Sequence, residues 1–153
     1  MKVLMYHGPR NMRIEDVSEV MPANNEVKIK VLYSSICGSD VHGYTGASGR
    51  RIPPMYMGHE MSGEVYAIGE EVKGISVGQR VTVQPITFCG KCPMCLAGKV
   101  NICENRRGLG VMNVNGTFAE YICVDQSQVF PFSEKLDPVV ASLIEPTAVT
   151  YHA

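Results

Sequence analysis

The chain has 153 residues, 45% of them hydrophobic, and a formal net charge of −1. This size fits one domain with its own apolar core, and the balanced charge gives no electrostatic footprint for nucleic acid or an anionic membrane surface. The apolar runs are far shorter than the ~20 residues that a bilayer-spanning helix needs, so we expect neither a nucleic-acid nor a membrane partner.

The first half of the chain predicts short strands separated by turns rich in glycine and proline. Residues 1–20 predict a hairpin that turns at Gly8-Pro9. Residues 26–33 alternate polar and apolar side chains, which is typical of a strand with one solvent-exposed face. Two further strands are predicted at 61–69 and 80–84, after a loop that lines a cleft at 43–57.

The second half continues this pattern and then changes to helix. Alternating side chains predict strands at 116–124 and 128–131. Asp137-Pro138 predicts a helix start, with Asp at the N-cap and Pro at the first helical position, and a helix over 139–144 that continues toward the end of the chain. Many short strands and late helices favour a mainly β, barrel-like domain over alternating βαβ units.

A Cys, two His and acidic residues are concentrated between Cys37 and Glu60. The segment begins Cys37-Gly-Ser39-Asp40-Val-His42 and ends Gly58-His59-Glu60. Thiolate, imidazole and carboxylate are the ligand types that zinc accepts, and three protein ligands leave a position open for water or substrate. Glu145 lies in an apolar run, where an unpartnered charge is costly, and is the candidate for a further ligand.

Four cysteines form a second pattern, Cys89-x2-Cys92-x2-Cys95-x7-Cys103, inside a lobe at residues 85–112. Four thiolates at this spacing predict the closed shell of a structural zinc. Disulfides across two-residue gaps would be strained. An iron–sulfur cluster matches the first three cysteines, but its last gap is three residues and not seven, so zinc is favoured.

The cysteine usage also bears on location. A metal pattern rather than a disulfide framework indicates a reducing compartment, and the amino terminus shows no apolar signal segment, so we expect a cytoplasmic protein. Cys123 belongs to neither metal pattern and is expected to be a small buried hydrophobe. The basic pairs Arg50-Arg51 and Arg106-Arg107 predict solvated loop residues without a function.

These motifs together, with Gly116-Thr-Phe-Ala-Glu-Tyr121 and Glu145-Pro146, resemble the zinc-dependent medium-chain dehydrogenases over the whole chain. The resemblance is closest to the polyol branch of sorbitol, butanediol, threonine and galactitol-phosphate dehydrogenases. It implies that residues 1–153 are the GroES-like catalytic domain, a partly open β-barrel with a four-cysteine structural zinc lobe. It also implies that residues 146–153 start the crossover to a dinucleotide-binding Rossmann domain that is absent from this chain.

The resemblance further implies a ligand set. Cys37, His59 and Glu60 correspond to catalytic zinc ligands, and Glu145 takes the place of the family's fourth ligand. Two glutamates bound at once would leave the site net negative, so we expect one of them to give way to water or substrate. Asp40 is expected to accept a hydrogen bond from the ring N–H of His59.

The implied reaction is oxidation of a secondary alcohol or polyol to a ketone, through a zinc alkoxide and hydride transfer to NAD or NADP. Ser39 would take the hydroxyl proton and His42 would pass it to solvent. The alternatives are a helix cap for Ser39 and a surface residue for His42. No Gly-x-Gly-x-x-Gly follows a strand, so we expect no cofactor-binding residues and no turnover from this chain alone, and a homo-oligomer at full length.

Two other classes of function remain open from the sequence. A zinc-stapled binding or structural module explains the four-cysteine lobe but not a second, open metal site. A zinc hydrolase with a glutamate base explains the open site but does not call for Ser39 and His42. The number of zinc ions per chain separates the binding module, with one, from the other two classes.

Overall fold

The computed structural model describes residues 1–112 and 114–152. These residues form ten β-strands and four α-helices. The strands are β1 (Lys2–Gly8), β2 (Asn11–Asp16), β3 (Glu26–Ser35), β4 (Met55–Tyr56), β5 (Glu60–Ile68), β6 (Arg80–Val83), β7 (Ile86–Thr87), β8 (Arg107–Gly108), β9 (Tyr121–Asp125) and β10 (Val129–Pro131). The helices are α1 (Gly38–Thr45), α2 (Pro93–Leu96), α3 (Pro138–Ala141) and α4 (Ile144–His152).

A five-stranded antiparallel sheet in the order β10-β6-β5-β3-β9 forms the centre of the fold. Apolar residues at alternate positions of its strands make the main core, because successive side chains of a strand point to opposite faces. Val27 and Ile29 of β3 and Val81 of β6 are each fully buried. The strands predicted at 26–33, 61–69 and 80–84 are therefore confirmed.

Lys28 departs from the predicted alternation. It follows Val27 on β3 and should face solvent, yet only 2% of it is exposed. Its Nζ bonds the carboxylate of Glu19 and lies 5.0 Å and 4.9 Å from the ring centroids of Tyr66 and Tyr121. Two aromatic faces and an ion pair replace the water that the ammonium loses.

A three-stranded sheet, β2-β1-β4, packs beside the central one. The predicted hairpin is its β1 and β2. Residues 118–120 link the two sheets: Phe118 O accepts from Leu4 N at 2.9 Å, and Glu120 O accepts from Val31 N at 2.9 Å. The described strands close no barrel, which agrees with the expected partly open form.

The strand predicted at 116–124 is wrong in its first half. Only Tyr121–Asp125 is a strand, and Ala119 makes a single bridge to Val3. Gly116 approaches other backbone too closely for a regular ladder, since a Cβ there would lie 2.1 Å from Gly58 O. Tight contact beside His59 has replaced strand pairing.

The late helix begins as predicted but is divided. Asp137 caps α3, and its Oδ1 accepts from Val139 N at 2.8 Å. The predicted helix over 139–144 is wrong in extent, because α3 ends at Ala141 and α4 starts at Ile144. None of the described helices is long and apolar enough to cross a membrane.

Candidate metal centres and active-site cavity

The four cysteines of the lobe converge. The Sγ atoms of Cys89, Cys92, Cys95 and Cys103 all lie within 4.8 Å of one another. The sulfur of Cys103 is 3.6 Å from that of Cys89 and 3.9 Å from that of Cys92. Sulfurs on a tetrahedron with Zn–S bonds of ~2.3 Å stand roughly 3.8 Å apart, and a disulfide requires about 2.05 Å, so the spacing fits a ZnS4 centre.

The backbone of the lobe prepares these sulfurs for a cation. Backbone N–H groups of Lys91 and Cys92 lower the pKa of the Cys89 thiol to about 6. The Sγ of Cys103 accepts from Cys89 N at 3.4 Å and Asn105 N at 3.3 Å. Donors aimed at sulfur favour the thiolate, which is the form that binds metal.

A second group of ligand atoms forms where β3 and β5 pair. The side chains of Cys37, His59 and Glu60 offer atoms within 4.8 Å of one another. Ser35, at the end of β3, is opposite Glu60, at the start of β5. Antiparallel pairing therefore brings Cys37, two residues past the end of β3, next to His59.

Hydrogen bonds and a glycine fix this junction. The Ser34 hydroxyl lies 3.1 Å from Glu60 O, to which it donates, and 2.6 Å from the Thr117 hydroxyl. Gly58, immediately before His59, has a φ of +91°, and a Cβ there would lie 2.5 Å from the Phe118 ring. Only glycine fits this turn without displacing Phe118.

His59 carries the observation that tests a metal at this junction. Its Nδ1 is buried and has no hydrogen-bond partner among the described residues. A buried ring nitrogen without a partner is costly unless an atom outside the chain satisfies the ring. A thiolate, an imidazole and a carboxylate with this gap between them fit a divalent zinc ion.

Asp40 lies beside His59 without the expected hydrogen bond. The distance from Asp40 Oδ2 to His59 Nδ1 is 3.7 Å, too long for a direct hydrogen bond. Oδ2 instead accepts from the backbone N–H of Cys37 at 3.2 Å, across the first turn of α1. Asp40, rather than Ser39, thus closes the start of the helix.

Arg51 is the residue that sequence reasoning missed, and its predicted solvated state is wrong. It is 8% exposed, and its Nη2 donates to Asp40 Oδ1 at 3.2 Å and to the Ser39 Oγ at 3.3 Å. Gly43 makes room for it, since a Cβ there would lie 2.6 Å from Arg51 Cγ. A buried Asp needs a cation, so Asp40 itself was the available signal. Arg50, Arg106 and Arg107 are exposed, as predicted.

The structure does not bring Glu145 into the ligand group. It lies in the first turn of α4, and burial raises the pKa of its carboxyl, with Glu60 acting in the same direction and His59 opposing. Hydrogen bonds dock the preceding segment on the sheet: the Ser142 hydroxyl lies 2.9 Å from that of Ser35. Of the two glutamates, only Glu60 has a carboxylate oxygen within the described cluster.

A cavity of about 380 Å³ opens beside this group. Its wall includes Ser39, His42, His59 and Glu145, with Arg50 and Arg51. Ser39 and His42 are three residues apart on α1, so they share one face of the helix, and both are exposed to the cavity. The structure therefore places both predicted relay residues at one opening with His59.

A larger cavity, about 490 Å³, lies on the other side of the β7–β8 hairpin. Pro85, Ile86, Gly108 and Leu109 contribute to the walls of both cavities, so the base of the zinc lobe separates them. Cys123 lines the larger one, where burial raises its pKa to about 11. It lies outside both groups of metal-ligand atoms in the described chain.

Comparison with known proteins agrees with this geometry. The alcohol dehydrogenase GroES-like domain matches residues 23–134. A sorbitol dehydrogenase from Halalkalibacterium halodurans is 39% identical over 96% of this chain and 43% of its own length. The structure of galactitol-1-phosphate dehydrogenase from Escherichia coli has 31% identity and a TM-score of 0.92 over 99% of this chain and 44% of its own.

A zinc-binding dehydrogenase from Sinorhizobium meliloti, solved bound to NADP, has 36% identity and a TM-score of 0.92, again over 99% of this chain and 44% of its own. The chain thus spans less than half the length of the relatives that it matches. Sequence and fold agree from the first strand to the last helix. The chain belongs to the alcohol dehydrogenase GroES-like domain family of the zinc-type medium-chain alcohol and polyol dehydrogenases.

Proposed function

We propose that residues 1–153 are the catalytic domain of a dehydrogenase that oxidises a secondary alcohol or polyol to a ketone with NAD or NADP. The observation that carries the proposal is the convergence of Cys37, His59 and Glu60 at a cavity that also holds Ser39 and His42. A separate four-thiolate group leaves this site free for chemistry, since a closed shell offers no open position.

Cys37, His59 and Glu60 would hold the catalytic zinc, and Cys89, Cys92, Cys95 and Cys103 the structural one. When bound, zinc supplies a Lewis acid that lowers the pKa of a substrate hydroxyl. The cysteine thiolate and one carboxylate already balance its charge. Glu145, on the cavity wall, is then a second carboxylate that approaches only when a position is vacated.

The chain's own residues would move the proton. The Ser39 Oγ accepts from Arg51 Nη2 at 3.3 Å, which fixes the hydroxyl at the cavity wall. Ser39 would take the proton of the substrate hydroxyl, and His42, one turn along α1 and exposed, would pass it to solvent. Asp40 holds the start of α1 against His59 and so keeps the relay beside the metal ligands.

The nicotinamide cofactor would be bound by a further domain of the whole protein. The relatives are more than twice as long as the matched region, and one was solved with NADP. Residues 146–153 would then start the crossover to that domain. A cytoplasmic location and assembly into a homo-oligomer are parts of the same proposal.

The test is reduction of NAD⁺ or NADP⁺ by the whole zinc-loaded protein with a panel of polyols that includes D-sorbitol. We expect turnover, and His42→Ala should lower kcat by about 10²-fold, as for loss of a proton-transfer group. His7→Ala is the matched control, because His7 is also exposed but lies on β1, paired with Glu15. Absence of turnover with every polyol would overturn the proposal, and an unchanged kcat in His42→Ala would remove the relay alone.

A further inference from the structure

One cation on the wall of the active-site cavity has no role in the proposed chemistry. Arg50 lines the cavity together with Ser39, His42, His59 and Glu145, and its side chain is exposed. Within residues 1–112 and 114–152, its guanidinium makes no hydrogen bond and no ion pair. Its five N–H donors therefore face the cavity and the surrounding solvent.

The backbone holds Arg50 in place. Arg50 O accepts from Met112 N at 2.6 Å, and Ile52 N donates to Met112 O at 3.0 Å. These two bonds flank the bridge between Arg51 and Met112. Because main-chain bonds on both sides fix its Cα, Arg50 is presented to the cavity from a constrained position rather than from a free loop.

The charge of the cavity wall favours an anion at this point. The other arginine there, Arg51, is neutralised by Asp40. Ser48, also on the wall, accepts from Arg50 N at 3.4 Å through its Oγ and keeps its hydroxyl proton to donate. A guanidinium beside a hydroxyl donor matches the geometry of carboxylate and phosphate oxygens.

Building on the proposed dehydrogenase function, we propose that Arg50 selects polyols that carry an oxyanion, a carboxylate or a phosphate, at the end remote from the reacting hydroxyl. Arg50 is then a specificity-determining residue. It anchors the charged end of the substrate by a bidentate, charge-assisted pair. Ser39 and the metal ligands meet the hydroxyl at the other end.

The experiment compares three ligands of the same carbon skeleton on the whole zinc-loaded protein by calorimetric titration: D-sorbitol, D-gluconate and D-sorbitol 6-phosphate. We expect at least one of the two anions to bind at least tenfold more tightly than sorbitol. Arg50→Gln should remove that advantage and leave sorbitol binding unchanged. Arg13→Gln, an exposed arginine on β2, is the matched control and should keep it.

The outcomes separate the two proposals. The anion with the larger loss in Arg50→Gln identifies the group as carboxylate or phosphate. Equal binding of sorbitol and both anions overturns the anion preference and leaves the proposed function standing, since sorbitol still binds. Tight anion binding that Arg50→Gln does not weaken assigns recognition elsewhere and overturns the role of Arg50. Failure of all three to bind overturns both.

Discussion

Cys103→Ala is expected to unfold the lobe that contains the four cysteines. Cys103 is 4% exposed, and its sulfur is within 3.9 Å of two others. Structural zinc contributes folding free energy on the order of 10 kcal/mol in small peptides, and three remaining thiolates retain only part of it. No hydrophobic core replaces the metal there, because the helix α2 has no buried residue.

The measurement is hydrogen exchange of residues 89–103 in zinc-loaded protein, followed through peptides. We expect protection to fall to that of an unfolded segment in Cys103→Ala. Because the β7–β8 hairpin at the base of the lobe forms a wall of the active-site cavity, protection of 85–87 should fall as well. Cys123→Ala, a cysteine outside both ligand groups, should leave the lobe protected. Retained protection in Cys103→Ala would contradict a metal-held lobe.

Arg51→Met is expected to lower the free energy of unfolding by about 3 kcal/mol, because it leaves a buried carboxylate without its cation. Asp40 is 1% exposed and Arg51 is 8% exposed, so neither charge is replaced by water. The change also removes the bonds to Ser39 that hold α1. The measurement is urea unfolding of the zinc-loaded protein at neutral pH.

Two variants give this result its meaning. Arg50→Met changes the neighbouring, exposed arginine and should alter the free energy of unfolding by less than about 0.5 kcal/mol. Adding Asp40→Asn to Arg51→Met should recover part of the loss, since the buried group is then neutral. Equal stability of Arg51→Met and the parent would show that the pair is not a buried charge pair in solution.

Local sequence signals predicted the parts of the molecule that depend on near neighbours. Cysteine spacing predicted a cluster, and Asp137-Pro138 predicted a capped helix start, because each depends on a few adjacent residues. The pairing of β3 with β5, which brings Cys37 to His59, was predicted only through the resemblance. Alternation alone does not say which strands pair.

The failures share a physical cause, which is a partner distant in sequence. Lys28 is buried because Tyr66 and Tyr121 come from two other strands, and Arg51 is buried because Gly43 leaves space for it. Residues 116–120 do not form the predicted strand because Gly116 packs against Gly58. Tertiary contacts have overridden local preference in each case.

Zinc per chain is the most direct test of the central claim that one chain holds two distinct metal centres. We would measure it by elemental analysis of the parent and of Cys37→Ala, with circular dichroism to check the fold. Two zinc ions that fall to one with the fold intact would agree with a separate catalytic centre at Cys37, His59 and Glu60. A single zinc that Cys37→Ala does not change would contradict it, leaving a four-cysteine staple and no metal at the cavity.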